Sequence, residues 1–213
     1  MAAEILERFP FFPLGLVLLP GEVVPLHIFE ERYKAMIGEC LEEEREFGIV
    51  WLAEDGLRET GCGASVARVL ERSEDGRMDI LAQGTRPFRL RRRIDDLIYP
   101  AGDVELLEEE RADAAAADPE LLATARERYA DLVERATDAR PEPSKLAALD
   151  AYGMAATVEL EPAAKQELLE LRAEEARLHR VCELFELTAA RLDYAERAGE
   201  LARSNGRVRP GRP

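Results

Sequence analysis

Pro25-Leu26-His27-Ile28-Phe29-Glu30-Glu31-Arg32-Tyr33 is the stretch on which the fold turns. Upstream lies an apolar run bounded by prolines, Phe11-Phe12-Pro13-Leu14-Gly15-Leu16-Val17-Leu18-Leu19-Pro20-Gly21, and downstream lies a helical pattern. From Glu30 to Glu44, Tyr33, Met36, Ile37 and Leu41 recur at spacings of three and four, which is one face of a helix. The run Phe9 to Pro20 holds three prolines and is shorter than the ~20 apolar residues a membrane helix needs. Phe11 and Phe12 are neighbours, so on a strand they point to opposite sides. Glu4 and Glu7, with no basic stretch before an apolar one, argue against a signal peptide.

Further along, strands dominate the first half. Phe47-Gly48-Ile49-Val50-Trp51-Leu52 reads as a buried strand ended by Asp55-Gly56. Val66 to Arg72 and Met78 to Ala82 flank Asp75-Gly76, a hairpin signal because both turn positions tolerate positive φ. Phe88, Leu90 and Ile94 fall on one strand face and Arg89, Arg91 and Arg93 on the other, with Arg92 interrupting the apolar side. Val104 to Leu107 reads as a closing strand.

The second half carries helical signals only. Asp118-Pro119 supplies an N-cap and a first-turn proline, followed by Leu121, Leu122, Ala125, Tyr129 and Leu132. A helix is predicted from Ser144, with Leu146, Leu149, Tyr152 and Ala156 on its face, and another from Glu161-Pro162. Leu171, Leu178, Phe185 and Leu192 recur every seven residues, with Val181, Thr188 and Ala195 set three after the last three, which predicts a seam on one long helix. Strands with one helix, then helices alone, imply an α+β protein of two lobes. The boundaries predicted are a strand lobe over 1–108, an acidic connector over 109–118, a helical lobe over 119–202 and a disordered basic tail over 203–213.

Composition bounds the function. The 213 residues carry a formal charge of −15, which repels phosphate at long range and argues against general nucleic-acid binding. Cys40, Cys62 and Cys182 are far apart, as expected of reduced thiols in a cytoplasmic protein. Lys34, Lys145 and Lys165 are preceded by Tyr33, Ser144 and Ala164. None can be the lysine of a phosphate-binding loop, which needs a preceding glycine. His27 and His179 come with no Gly-x-Ser-x-Gly elbow and no metal-ligand spacing with the cysteines. The sequence therefore points to no catalytic residue, metal or cofactor. His27 reads as hydrogen-bonding backbone and so fixing the strand-to-helix entry, and Arg32 as pairing with a carboxylate to orient the helix.

The motif order resembles the N-terminal substrate-binding domain of Lon proteases. In that family a "PL-F-PL" strand leads to a "P-G" turn and a "PLHIFE-RY" segment. Here those are Phe11 to Gly21 and Pro25 to Tyr33. Phe47-Gly48-Ile49-Val50 resembles the family's "FG-V", and Thr60-Gly61-Cys62-Gly63-Ala64 stands where it has "VGT-A", with Cys62 departing from threonine. Asp75-Gly76-Arg77 with Gly84-Thr85-Arg86-Pro87-Phe88 resembles "DG…G-RF". Lys165 to Glu170 resembles "KQ-LLE" and Ala176-Arg177-Leu178 resembles "ERL". The resemblance implies a PUA-like β pseudobarrel with one helix, followed by a C-terminal helical bundle. It also implies a non-catalytic module, standing apart from ATPase and Ser–Lys peptidase domains, that binds unfolded or degron-bearing polypeptide or a protein partner. An apolar groove near Phe11, Phe12, Pro25, Ile28 and Phe29 is the candidate peptide site, with one of Phe11 and Phe12 exposed. The rival reading is a PUA-like nucleic-acid binder. Gly61 to Arg93 holds eight arginines against four acids, and the face from Arg68 to Arg93 would be its site.

Overall fold

The computed structural model describes residues 4–108 and 118–205. The acidic connector (but for Asp118) and the end of the basic tail lie outside the described residues. Six strands come first: β1 (Ile5–Leu14), β2 (Val23–Ile28), β3 (Phe47–Ala53), β4 (Gly56–Arg72), β5 (Met78–Ile94) and β6 (Ala101–Leu106). Helix α1 (Glu31–Glu42) sits between β2 and β3. The helices α2 (Pro119–Thr137), α3 (Pro143–Ala147), α4 (Ala151–Ala155), α5 (Pro162–Glu170) and α6 (Glu174–Asn205) follow.

The sheet runs in the order β2-β5-β4-β3-β1-β6, and β6 also pairs with β5. Strands β1, β3, β4, β5 and β6 thus form a closed circuit, and β2 is an extra strand on the first half of β5. Among the described strands only β1 and β3 run parallel; the other pairs are antiparallel. Phe9, Phe11, Val50, Phe88, Val104 and Leu106 fill one cluster. Gly48 and Gly61 leave room for the Phe88 ring there: a Cβ on either would lie within 2.8 Å of it.

A second, larger cluster joins the outside of the circuit to the helices. Phe12, Ile28, Met36, Ile37, Phe47 and Ile80 share it with Tyr129, Leu168, Leu178 and Phe185. Phe12 meets Tyr33 at 4.3 Å and Phe47 at 5.7 Å between ring centroids. Phe11 and Phe12 do face opposite sides, but both sides are covered. Their exposures are 1% and 3%, so neither of them is exposed.

The Asp75-Gly76 hairpin joins β4 to β5, with Arg72 opposite Met78 and Gly76 at φ 82°. The two apolar runs after it are one 17-residue strand. Gln83 to Pro87 does not break it, because Gly84 admits the Leu19 carbonyl, which a Cβ would meet at 2.1 Å. A register shift between Leu90 and Arg92 explains why Arg92 interrupts the alternation: the bulge resets the faces.

Asp118 caps α2 by accepting from the Glu120 N–H at 3.0 Å. The helix expected from Ser144 is two short ones. Asp150 accepts from the Gly153 N–H at 2.7 Å, capping α4 and breaking the run, as short acceptor side chains do. The heptad seam is split as well. Leu171 lies beyond α5 and outside α6, whereas Leu178, Val181 and Phe185 are buried on α6.

Candidate functional site

Strand β2, the first half of β5 and the second half of β4 make a three-stranded arm. Alternation divides its side chains in two. Val24–Ala82–Val66 and Leu26–Ile80–Val69 form rows on the inner face, with Ile28 opposite Met78. Ile28, Met78, Ile80 and Ala82 are buried in the same cluster as Met36 and Ile37 of α1. Val23–Gln83–Ser65, Pro25–Leu81–Arg68 and His27–Asp79–Glu71 form the outer rows. Val23, Pro25, His27, Gln83, Arg68 and Glu71 are exposed there.

Phe29 follows the arm directly and is 58% exposed. Its position is fixed from behind. His27 Nδ1 lies 2.6 Å from Asp79 Oδ1, and the Phe29 and His27 rings stack at 5.7 Å with an interplanar angle of 23°. His27 therefore holds its neighbours through a side chain, not through backbone. Arg32 pairs with Glu30 at 2.8 Å and lies over the Tyr33 ring at 4.5 Å, orienting the start of α1. Of the five candidate residues, then, Pro25 and Phe29 lie on the surface, and Phe11, Phe12 and Ile28 lie in the core. Val23, His27 and Leu81 join the first two. The alternation Val23-Val24-Pro25-Leu26-His27-Ile28 carries that signal, with odd positions out and even positions in.

The free edge of β2 is blunted. Gly84 N–H donates to the Glu22 carbonyl at 2.8 Å, so alternation places residues 24, 26 and 28 in the bonded pairs with β5. The backbone groups of 23, 25 and 27 face outward, and Pro25 has no N–H to offer. The opposite margin, β4, carries register shifts at Val66/Arg68 and Val69/Glu71. Both margins thus resist addition of another strand, and the arm presents side chains instead.

The eight arginines of Gly61 to Arg93 do not form one surface. Arg91 pairs with Glu105, Arg92 with Asp103 at 2.7 Å, Arg86 with Glu4 at 3.6 Å and Arg77 with Asp75 at 2.7 Å. Arg68 and Arg72 sit on opposite faces of the arm.

Between the circuit and the helices lies a cleft lined by Pro20, Thr85, Leu107, Asp150, Tyr152 and Leu171. Its arginines are engaged. Arg172 donates to the Glu108 carbonyl at 2.8 Å, and Arg177 bonds Glu174 and lies over the Tyr152 ring at 4.5 Å. Burial pushes the Glu174 carboxyl up and the Tyr152 hydroxyl up to about 12. All three cysteines are buried and free. Among the described residues no cluster of His, Cys, Asp or Glu could hold a metal, and no helix is long and apolar enough to cross a membrane.

Residues 8–186 match the family described as the ATP-dependent protease La (LON) substrate-binding domain. The chain belongs to that family. It is 28% identical over 209 residues to a Lon protease of Paraburkholderia phytofirmans, covering 90% of this chain and 25% of that protein. A Lon protease of Parabacteroides distasonis is 28% identical over 116 residues, covering 50% of this chain and 14% of that protein. The chain thus spans a quarter or less of these relatives. The fold is similar to the Lon N-terminal domain protein from Xanthomonas campestris, with TM-score 0.61 and 24% identity over 83% of this chain and 97% of that one. The N-terminal domain of Mycobacterium avium complex Lon protease gives TM-score 0.61 at 22% identity, over 84% and 98%.

Proposed function

We propose that this Lon-type domain recognises unfolded or degron-bearing polypeptide on the outer face of the arm, with Phe29 as its anchor. The observation that carries the reading is the exposed apolar set Val23, Pro25 and Phe29 beside Leu81, with Phe29 braced by the His27–Asp79 pair. An aromatic held in place loses little freedom when a partner covers it. A client lying on side chains need not offer a continuous strand, which suits chains of many sequences. The closed circuit of five strands is the PUA-like lobe of this reading, over 1–108, and the helices over 119–202 form its bundle. In this reading the module is non-catalytic and turns over neither ATP nor casein. It works in the cytoplasm, where its thiols stay reduced.

The test is a fluorescence titration of a permanently unfolded model protein. Phe29→Ser should weaken binding about 5- to 30-fold, the range for losing one partly buried aromatic anchor. Leu52→Ser, at an apolar residue of β3 that is 50% exposed, should change it little. Equal effects from both would remove the arm as the site.

A further inference from the structure

Strand β2 carries half of the proposed face and is paired along one edge. Among the described residues it pairs with β5 alone, over six residues. What fixes its entry comes from the helical half. Lys165 of α5 reaches Glu22, the residue before β2, with Nζ 2.5 Å from Oε1. Both side chains are largely buried, at 14% and 10% exposure. The second carboxylate oxygen accepts from the Leu19 N–H at 2.9 Å. Around this pair the turn is stitched to β5: Gly21 N–H donates to the Gly84 carbonyl at 2.9 Å and Gly84 N–H to the Glu22 carbonyl at 2.8 Å. The next residue of α5, Gln166, donates to the Thr60 carbonyl of β4 at 3.1 Å.

A buried ion pair is a poor source of stability, since desolvation offsets its attraction, but losing one partner leaves the other charged and unmatched. It fixes a position instead. We propose that Lys165 is a positioning residue for the recognition face. It ties the helical half to the entry of β2, so that Val23 and Pro25 stay in register over β5 and Phe29 keeps its place just beyond them. The client-binding part of this inference rests on the reading above; the tie itself does not.

The experiment compares the full chain with Lys165→Met, Lys165→Arg and Glu22→Gln. Amide exchange is read residue by residue, and the unfolded model protein is titrated against each. In Lys165→Met the amides of Val24, Leu26 and Ile28 should exchange about tenfold faster or more. Those of Met154 and Val181 in the helices should keep their protection, and client binding should weaken about three- to tenfold in step with the β2 loosening. Lys165→Arg keeps the charge and should restore most of both. Glu22→Gln keeps the volume and should loosen β2 in the same way, which decides the matter if Lys165→Met does not fold. Unchanged β2 exchange, or equal loosening of α4 and α6, would overturn the proposal. If the parent chain binds no client, the recognition reading fails while the exchange data still decide whether the tie exists.

Discussion

At the scale of single residues, small side chains and buried thiols set the tolerances. Gly84 is small because the Leu19 carbonyl passes over it, 2.1 Å from where a Cβ would stand. Backbone cannot yield there as a flexible side chain would, so Gly84→Ala should cost about 1–3 kcal/mol or more and loosen the turn into β2. A denaturant melt checks it, and an unchanged midpoint would mean that the turn sits elsewhere. The cysteines give a prediction in pH. Burial pushes the Cys40 thiol from the ordinary 9.0 up to about 11, and Cys62 further in the same direction. Below pH 9 the folded and unfolded chains both hold these protons. Above it the unfolded chain releases them and the folded one does not, so stability should fall as pH rises from 9 towards 11. Denaturant midpoints at pH 8, 9.5 and 10.5 should decline, and Cys62→Ala should lessen the decline relative to its own value at pH 8. A flat profile in the parent chain would contradict the burial of both thiols.

Among elements, α6 and the arm show where the sequence speaks and where it does not. Leu178, Val181 and Phe185 are buried on α6, and Phe185 lies 5.9 Å from Tyr129 of α2 between ring centroids. Phe185→Ala should cost about 3–5 kcal/mol, read as a shift in the denaturant midpoint; less than about 1 kcal/mol would place this face outside the core. The 3.6-residue period marked α1, α2 and the buried face of α6, and Asp75-Gly76 marked the central hairpin, because these signals are local. Not legible was the break at Asp150, where a capping bond outcompetes the helical pattern, nor the continuity of β5 through Gly84 and Pro87. The candidate site was half legible. The large apolar residues in and beside the family-like segment singled out Phe11, Phe12 and Ile28, but apolar character does not tell a core from a surface. The period-2 alternation in β2 does, once the partner strand is known, and it selects Val23, Pro25 and His27.

On the scale of the whole molecule, one face is joined to one framework. The larger apolar cluster runs from the arm through α1 into the helical half, and Lys165 and Gln166 of α5 bind the entry of β2 and the Thr60 carbonyl of β4. The arginines of the rival nucleic-acid reading are dispersed over the strands, and four of the eight are matched by acids. Recognition as proposed here has this face hold polypeptide by apolar contact. Its most direct test is a titration of the parent chain with an unfolded model protein and with single-stranded RNA, each at about 50 and 200 mM salt. Apolar burial changes little over that range, whereas phosphate contact weakens steeply. The unfolded protein should bind at both salts with an affinity that shifts by less than about threefold, and RNA should bind at neither. Binding of RNA alone, abolished at the higher salt, would contradict it and move the site to the arginines.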